Sequence, residues 1–381
     1  MANNNLTNAK KVKNDEFYTQ YGDIQKEIEA YLEYNANVFR GKVVYCNCDD
    51  PFESNFFRYF VLNFKKLGLK QLITTSYKPS PVANTQLELF GDDNARIESK
   101  GRPKVTANKF IINEVHDIDG DGEFNLKAVA KQLKTNKHNE WTPLDGDGDF
   151  RSDECINLLK QSDILVTNPP FSLFREYVKQ LFDYSKKFVI IGSMNAITYK
   201  EIFPLIKNNK SWLGNGFRAG NAYFFTPNTR DFASGVYDAK TGLVKFRNVC
   251  WFTNLDHGRR HQALQLMTMR ENLKYSKHKE IKGKRKYDKY VNYDAIEVPF
   301  TDAIPGDYHG EMGVPISFLD KYNPDQFEIV GFSLSLAKPM SAFAQKGTFL
   351  QGGPRFYIAN GDGTYKRLYD RIIIKSRKAK S

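Results

Sequence analysis

The chain has 381 residues, of which 41% are hydrophobic and 14% aromatic, a composition that excludes an intrinsically disordered protein. Its 56 Lys and Arg exceed its 44 Asp and Glu, giving a formal net charge of +12. This excess favours a polyanionic partner, although charge alone does not separate such a protein from a merely basic one. The sequence lacks an apolar run of membrane-spanning length and a signal-peptide core, so we expect a cytoplasmic protein.

The apolar pattern predicts an alternation of strands and helices from residue 24 onward. Helical spacing marks residues 24–39, and a short apolar strand follows over residues 42–48. A helix over 55–66 and a strand over 69–75 come next. This order is typical of the start of a βαβ unit and therefore of an α/β fold.

An irregular insertion at about 79–147 interrupts the alternation, with one predicted strand over 109–113 and one helix over 126–133. The pattern then resumes, and its later elements are expected to complete one sheet. They are a strand over 162–167, a helix over 173–184, and strands over 188–192, 223–225 and 246–252. Beyond about residue 256 the chain becomes basic and mixed in pattern, so we predict a boundary there.

The most informative segment is Asn168-Pro169-Pro170-Phe171, which directly follows a predicted strand. Its prolines force an extended turn at the carboxyl end of that strand, where α/β sheets bind ligands. A ring-conjugated amine is a weak nucleophile, and the oxygens of the Asn168 side chain and Pro169 backbone could accept its two N–H groups. Phe171 would stack on a base extruded from a duplex. We predict that these four residues catalyse methyl transfer to such an amine.

The loop after the first strand is predicted to bind the methyl donor, S-adenosylmethionine. Asp50 and Phe52 match the Asp-x-Phe-x-Gly-x-Gly loop of methyltransferases, whereas Ser54 and Phe56 stand where glycines are usual. A loop without glycine cannot bring its backbone as close to a ligand, and Ser54 could instead cap the next helix.

Two other segments are predicted to contact the same cofactor. Phe17 and Thr19 match a Phe-x-Thr segment that in amino-methyltransferases often folds over the methionine part of the cofactor, with an ordinary helix entry as the alternative. Asp149 and Phe150 would hold its adenine amine and stack on its ring. The predicted cofactor-binding residues are Phe17, Thr19, Asp49, Asp50, Pro51, Phe52, Asp149 and Phe150.

No metal site is expected. Residues 117–122 begin like an EF-hand loop, but Ala128 occupies the twelfth position, where a bidentate Glu is needed. Residues 145–149 also alternate acids with glycine, and we interpret both segments as turns. The four cysteines are too few and too scattered for a disulfide scaffold or a zinc site.

Basic residues mixed with tyrosines cover 274–290, and a second basic segment spans 256–261. Both fit a surface that grips phosphates, and a solvated loop is the alternative. The residues predicted to bind DNA are Arg259, Arg260, Lys282, Lys284, Arg285 and Lys286. Residues 86–90, from Gln86 to Phe90, look like the peptide that bacterial proteins insert into the sliding clamp, and local apolar packing is the alternative.

Together these segments resemble the EcoRI-type adenine-specific DNA methyltransferases, a branch of the amino-methyltransferase superfamily. The likeness lies in residues 15–19, 45–55, 148–152, 163–171, 251–255 and 312–322. It implies a Rossmann-like S-adenosylmethionine-dependent methyltransferase sheet with inserted loops, a reversed β-hairpin at one edge and a C-terminal target-recognition region. Residues 1–255 would then be the cofactor-binding and catalytic domain, and residues 256–381 the DNA-binding region.

The resemblance also implies a reaction: a methyl group passes to the N6 amine of a flipped-out adenine in a short sequence of double-stranded DNA, as in restriction-modification. Methylation of RNA or of a protein glutamine is an alternative, because Asn-Pro-Pro-aromatic segments occur in those groups too. A catalytically altered DNA-binding protein on the same fold is another. The second strand ends in Thr75-Ser76-Tyr77 without the acid that commonly binds the ribose, which leaves the ribose contacts open.

Overall fold

The computed structural model describes residues 18–48, 54–77, 107–115, 138–217, 221–225 and 235–377. The chain divides into two compact units. The first comprises the described residues of Met1–Ile202 and Leu213–His257, and the second those of Phe203–Trp212 and Gly258–Ser381.

The first unit is built from short strands and helices that alternate along the chain. Its strands are β1 (Tyr18–Thr19), β2 (Val43–Cys46), β3 (Gln71–Thr75), β4 (Asn108–Ile112), β5 (Glu140–Pro143), β6 (Ile164–Thr167), β7 (Lys187–Ser193), β8 (Trp212–Leu213, at the unit boundary), β9 (Asn221–Phe225), β10 (Tyr237–Asp238), β11 (Leu243–Arg247) and β12 (Val249–Thr253). Its helices are α1 (Tyr21–Tyr34), α2 (Asn55–Leu62), α3 (Phe64–Leu67), α4 (Asp153–Gln161) and α5 (Phe174–Asp183).

Eight strands form one mixed sheet in the order β5-β4-β3-β2-β6-β7-β12-β8. Strand β2 pairs in parallel with β3 and β6, and β6 pairs in parallel with β7. Strand β4 runs antiparallel to β3, and β12 runs antiparallel to β7. Every residue of β2 and β6 is buried, as central parallel strands require. The predicted α/β class and the parallel βαβ start are confirmed.

Helix α2 shows how local chemistry sets an element. The Ser54 hydroxyl accepts hydrogen bonds from the amides of Phe56 (3.1 Å) and Phe57 (3.4 Å), which caps the helix. The single helix predicted over residues 55–66 is interrupted at Asn63, whose side chain donates to the carbonyl of Tyr59 (2.9 Å). Five apolar side chains of this region are buried: Phe56, Phe57, Tyr59, Phe60 and Leu67.

The last two strands predicted for the main sheet are arranged differently. Residues 246–252 do not form one strand, because Asn248 adopts a left-handed conformation (φ 63°) that separates β11 from β12. Strand β12 joins the main sheet, whereas β11 pairs with β9. A second sheet results, in the order β1-β9-β11-β10, which we call the side sheet. The prediction that residues 223–225 belong to the main sheet is therefore wrong.

The second unit contains a smaller sheet and a hairpin. Its helices are α6 (Phe203–Lys207), α7 (Met269–Tyr275) and α8 (Ser333–Leu336), and its strands are β13 (Ile296–Glu297), β14 (Met312–Pro315), β15 (Phe327–Phe332), β16 (Tyr357–Ala359), β17 (Tyr365–Arg367) and β18 (Arg371–Ser376). The sheet has the order β13-β14-β18-β15, and β16 pairs with β17. A buried ion pair joins Arg371 to Glu297 (2.7 Å), and Tyr290 stacks on Phe356 with ring centroids 4.4 Å apart.

Glu27 of α1 is a buried carboxylate that fixes the loop after β8. It is 1% exposed and accepts hydrogen bonds from the amides of Asn215 (2.9 Å) and Gly216 (3.0 Å) and the hydroxyl of Tyr31 (2.7 Å). Alanine would leave these donors buried without their acceptor. We therefore expect Glu27→Ala to lower the free energy of unfolding by about 3 kcal/mol, measured by urea denaturation.

Glu29→Ala is the control, because Glu29 is on the same helix and its carboxylate receives an exposed hydrogen bond from Gln25. If the two substitutions lowered stability equally, the role assigned to Glu27 would be wrong.

Candidate active site

A buried hydrogen-bond network joins the carboxyl ends of the neighbouring parallel strands β2 and β6. Asn47, directly after β2, is 2% exposed, and its carbonyl accepts a hydrogen bond from the hydroxyl of Thr167, the last residue of β6. Its side-chain oxygen accepts a second hydrogen bond, from the hydroxyl of Tyr177 on α5. The chain therefore leaves β6 at a fixed position beside the segment that follows β2.

The segment Asn168–Phe171 begins at this position. Pro169 is buried, whereas Asn168 and Phe171 are half-buried, and Phe171 packs against the core of the first unit. The carbonyl of Pro170 accepts a hydrogen bond from the amide of Leu173 (3.0 Å), and this bond closes the short 3-10 helix Phe171–Leu173 that leads into α5. The strand and helix expected on either side of the segment are both present.

A third segment crosses the same edge of the sheet at the end of β3. Gly148 has φ +79°, and a Cβ atom on it would lie 2.0 Å from the carbonyl oxygen of Ser76. Only glycine permits this approach, which places Asp149 and Phe150 beside the end of β3. The Phe150 ring is 3% exposed and meets the Tyr177 ring edge-on, with centroids 4.9 Å apart. Because the Phe150 ring is buried, Asp149 is the more accessible of the two residues predicted to contact the adenine of the cofactor.

Asp149 is held in its ionised form by Arg151. The guanidinium donates from Nε to one carboxylate oxygen (2.9 Å) and from Nη2 to the other (2.6 Å). Burial raises the pKa of Asp149, but the hydrogen bonds from Arg151 outweigh it and bring the pKa below its ordinary value. The pKa of Tyr77 is raised, first by burial and then by the negative charges of Asp147 and Asp149. The ionised carboxylate of Asp149 therefore lies beside the end of β3, paired with the Arg151 cation.

Thr19 of β1 lies beside the start of α2. It is 2% exposed, and its carbonyl accepts a hydrogen bond from the side-chain amide of Asn55 (2.8 Å). Its hydroxyl is buried and has no hydrogen-bond partner in the part of the chain that the structure describes. Because a buried hydroxyl without a partner is unfavourable, this position suits a hydrogen bond to a bound polar group.

Sequence reasoning missed one residue of this edge, Asn47. The signal for it was present, since a polar side chain that directly follows a fully buried strand is placed where α/β sheets bind ligands. Several predicted residues cannot be compared with the structure. Phe17, the loop Asp49, Asp50, Pro51 and Phe52, and the clamp-like residues 86–90 lie outside the described residues.

The predicted basic residues of the second unit fall into two environments. Lys282, Lys284, Arg285 and Lys286 are exposed. The first three line an open groove of about 760 Å³ together with Arg270 and Lys274 of α7. Arg259 is half-buried.

Arg260 differs from the other cations of this set. It is 7% exposed, its guanidinium lies 3.8 Å from the centroid of the Trp212 ring, and it donates a hydrogen bond to the side chain of Asn209. These contacts assign Arg260 to packing within the second unit, and we correct its predicted role in binding DNA.

Among the described residues, no group of three or more His, Cys, Asp and Glu side chains could hold a metal ion. Residues 145–149 form a loop there, in which the amide of Asp149 donates to the side chain of Asp147 (3.0 Å). Residues 117–122 lie in a part that is not described. None of the helices in the described ranges has the length and apolarity needed to span a membrane.

A polar site at the carboxyl edge of a mixed α/β sheet is typical of ligand-binding α/β proteins. The family model "Adenine-specific methyltransferase EcoRI" matches residues 5–377. The chain is 44% identical over 330 residues to the Type II methyltransferase M.EcoRI of Escherichia coli. The aligned region covers 86% of this chain and 88% of that protein. This chain therefore belongs to the EcoRI family of adenine-specific methyltransferases, and the resemblance drawn from its motifs is confirmed.

Two mycoplasma proteins are similar over nearly the whole chain. The Type II methyltransferase M.MpnI of Mycoplasma pneumoniae is 33% identical over 378 residues, 97% of each chain. The Type II methyltransferase M.MgeORF184P of Mycoplasma genitalium is 34% identical over 383 residues, 97% of this chain and 98% of its own length. No solved structure matches the chain significantly.

Removal of the Arg151 cation should raise the pKa of Asp149, because burial of the carboxyl would remain without the hydrogen bonds that oppose it. In the unaltered protein the lowered pKa contributes stability above the pKa of the unfolded chain, and this stability is lost as pH falls through the folded pKa. We expect the stability difference between the unaltered protein and Arg151→Met to shrink below about pH 4. Urea denaturation at several pH values measures it.

Lys179→Met removes the cation of an exposed pair with Asp183 (2.5 Å) and serves as the control. A stability difference for Arg151→Met that is constant from pH 6 to pH 3 would contradict the coupling.

Proposed function

We propose that this protein transfers a methyl group from S-adenosylmethionine to the N6 amine of a flipped-out adenine in a short sequence of duplex DNA. The observation that carries the proposal is the position of Asn168–Phe171, at the carboxyl end of β6 and fixed by the Asn47 network, in a chain of the adenine-specific family. The parallel core β3-β2-β6-β7 supports a Rossmann-like arrangement of the catalytic unit.

The catalytic groups act by hydrogen bonding and position. The Asn168 side-chain oxygen and the Pro169 carbonyl accept the two N–H groups of adenine N6, which draws the nitrogen toward tetrahedral geometry and directs its lone pair. We assign Pro169 and not Pro170 to this role, because the Pro170 carbonyl already accepts the amide of Leu173. Phe171, half-buried at the head of the following turn, stacks on the extruded base.

The proposed cofactor site surrounds the ends of β2 and β3. S-adenosylmethionine would supply an electrophilic methyl group on its sulfonium sulfur. The loop Asp49–Phe52 follows β2 in sequence after Asn47 and Cys48, and the buried Thr19 hydroxyl lies next to the helix that follows this loop. Asp149 presents its ionised carboxylate at the end of β3, where it would accept a hydrogen bond from the adenine amine of the cofactor, with Phe150 behind it as part of the buried wall.

The second unit is proposed as the target-recognition region. The groove between α7 and residues 282–285 brings five cations to one surface: Arg270, Lys274, Lys282, Lys284 and Arg285. Such a cluster suits the phosphates of a duplex, and Lys286 and Arg259 extend the basic set. Within the described residues, no feature favours an RNA or a protein substrate.

Asn168→Ala tests the proposed chemistry. The substitution removes one of the two acceptors for adenine N6, so we expect the single-turnover methylation rate to fall on the order of 10³-fold, whereas the affinities for cofactor and DNA change little. Incubation with labelled S-adenosylmethionine and genomic DNA, followed by mapping of N6-methyladenine, measures the product.

Asn37→Ala is the matched control, because Asn37 lies in the turn before β2, at the opposite edge of the sheet from Asn168. Normal activity of Asn168→Ala would show the assignment of Asn168 to be wrong. Absence of N6-methyladenine after incubation with the unaltered enzyme would contradict the proposed reaction itself.

Thr19→Val tests the cofactor site without measuring activity. Valine has nearly the shape of threonine but lacks the buried hydroxyl that has no partner among the described residues. We expect the cofactor-free protein to be as stable as the unaltered one or more stable by up to ~1 kcal/mol. The Kd for S-adenosylmethionine, measured by calorimetry, should rise by roughly tenfold, the effect of one lost hydrogen bond.

Thr253→Val is the control, and we expect the opposite effects on stability and on cofactor affinity. The Thr253 hydroxyl donates to the carbonyl of Phe188 (2.8 Å) and accepts from the amide of Leu255 (2.9 Å), so its loss should destabilise the protein and leave the cofactor affinity unchanged. Unchanged cofactor affinity in Thr19→Val would remove Thr19 from the site.

A further inference from the structure

The side sheet has two faces of different chemistry. Residues paired across neighbouring strands share a face, and the register pairs Tyr18 and Leu243 with Phe225, and Lys245 with Tyr223. The alternate residues Thr19, Ala222, Phe224 and Val244 are buried. The opposite face therefore points outward, and we call it the outer face.

The outer face combines exposed aromatic rings with cations. Tyr223 is 41% exposed and Phe225 is 40% exposed, and the ammonium of Lys245 lies 5.8 Å from the centroid of the Tyr223 ring. Arg247, at the end of β11, is exposed on the same face. Aromatic rings that contact sugars and bases, beside cations that attract phosphates, are typical of surfaces that bind nucleic acids.

Among the described residues, one carboxylate shares this face. Asp238 on β10 pairs with Leu243, and its pKa is lowered first by a hydrogen bond from the amide of Lys240. Asp238 therefore lies at the end of the face that is farthest along β11 from Arg247. The cations are concentrated around Tyr223, and this part of the face has the charge that complements a phosphate backbone.

The outer face is continuous with the proposed cofactor site through β1. Tyr18 lies on the outer face with its ring centroid 6.4 Å from that of Phe225, and the next residue, Thr19, points into the unit. Thr19 is joined to Asn55 at the start of α2. A DNA strand that delivers adenine to this edge would therefore pass close to the outer face.

We propose that the outer face binds the duplex DNA on which the enzyme acts, with Lys245 and Arg247 contacting phosphates and Tyr223 and Phe225 contacting sugars and bases beside the target adenine. The inference rests on the proposed function and extends it, because it places a DNA-binding surface within the catalytic unit.

Equilibrium binding to a fluorescent duplex tests the proposal, by anisotropy over a range of salt concentrations and without the methyl donor. Lys245→Gln and Arg247→Gln should each raise the Kd by about tenfold and reduce the slope of log affinity against log salt by about 1. Tyr223→Ala should raise the Kd by about tenfold without changing the slope, and Tyr223→Phe should bind like the unaltered protein.

The chain provides a matched control pair. The ammonium of Lys160 lies 5.7 Å from the centroid of the Tyr184 ring, and these residues precede β6 and β7, at the amino ends of the strands. Lys160→Gln and Tyr184→Ala should keep the affinity and the salt slope of the unaltered protein. Circular dichroism establishes that each variant is folded.

Photo-cross-linking needs no variant. A duplex substituted with 5-iodouracil should cross-link to Tyr223 or Phe225 in the unaltered protein, and mass spectrometry locates the residue. The proposal is overturned if the outer-face variants bind with the affinity and salt slope of the unaltered protein, or if they instead dissociate a dimer of the DNA-free protein. Binding is measured apart from catalysis, so absence of methylation by the unaltered enzyme would count against the proposed function and not against this surface.

Discussion

The hydrogen bonds that Thr167 and Tyr177 donate to Asn47 are the constraint on which the candidate site depends. Parallel pairing brings the carboxyl ends of β2 and β6 to one edge, but it does not determine where the chain goes beyond them. Here the hydroxyls of Thr167 and Tyr177 donate hydrogen bonds to the carbonyl and the side-chain oxygen of Asn47. These bonds fix both the turn after β6 and the turn after β2. Asn168 thereby takes its position from the core of the unit and not from its own loop.

The elements of the fold could be predicted where they depend on a pattern of apolar residues close together in the sequence. Strands β2 and β6 are buried along their whole length and stand out as short apolar runs, and the helix after each shows its own periodicity. The partner of a strand is not a local property. Residues 223–225 and 246–252 are apolar enough for the main sheet, yet a left-handed residue, Asn248, directs the chain from one sheet to the other. Asparagine can adopt the left-handed conformation, but the presence of an asparagine in a sequence does not predict that it does so.

The candidate site, like the fold, could be predicted only where it depends on residues close together in the sequence. The backbone conformation of Asn168–Phe171 is set by its own residues, because two prolines restrict the backbone directly after a strand. The role of Asn47 depends on partners 120 and 130 residues away in sequence, which periodicity does not report. Arg260 shows the converse error, since a run of charges says nothing about burial. Its guanidinium lies over the Trp212 ring, within the second unit.

The start of α2, which follows the loop after β2 in sequence, is held by side-chain hydrogen bonds. Where other methyltransferases have glycine, this chain has Ser54, and its hydroxyl accepts hydrogen bonds from the first amides of α2. The adjacent Asn55 reaches back to the carbonyl of Thr19 and so holds β1 over the start of the helix. Side-chain hydrogen bonds thus fix the start of α2 beside β1 without glycine. Because strand residues alternate, the bond that positions Thr19 inward also sets Tyr18 outward, and a shift of one residue in β1 would disrupt both faces together.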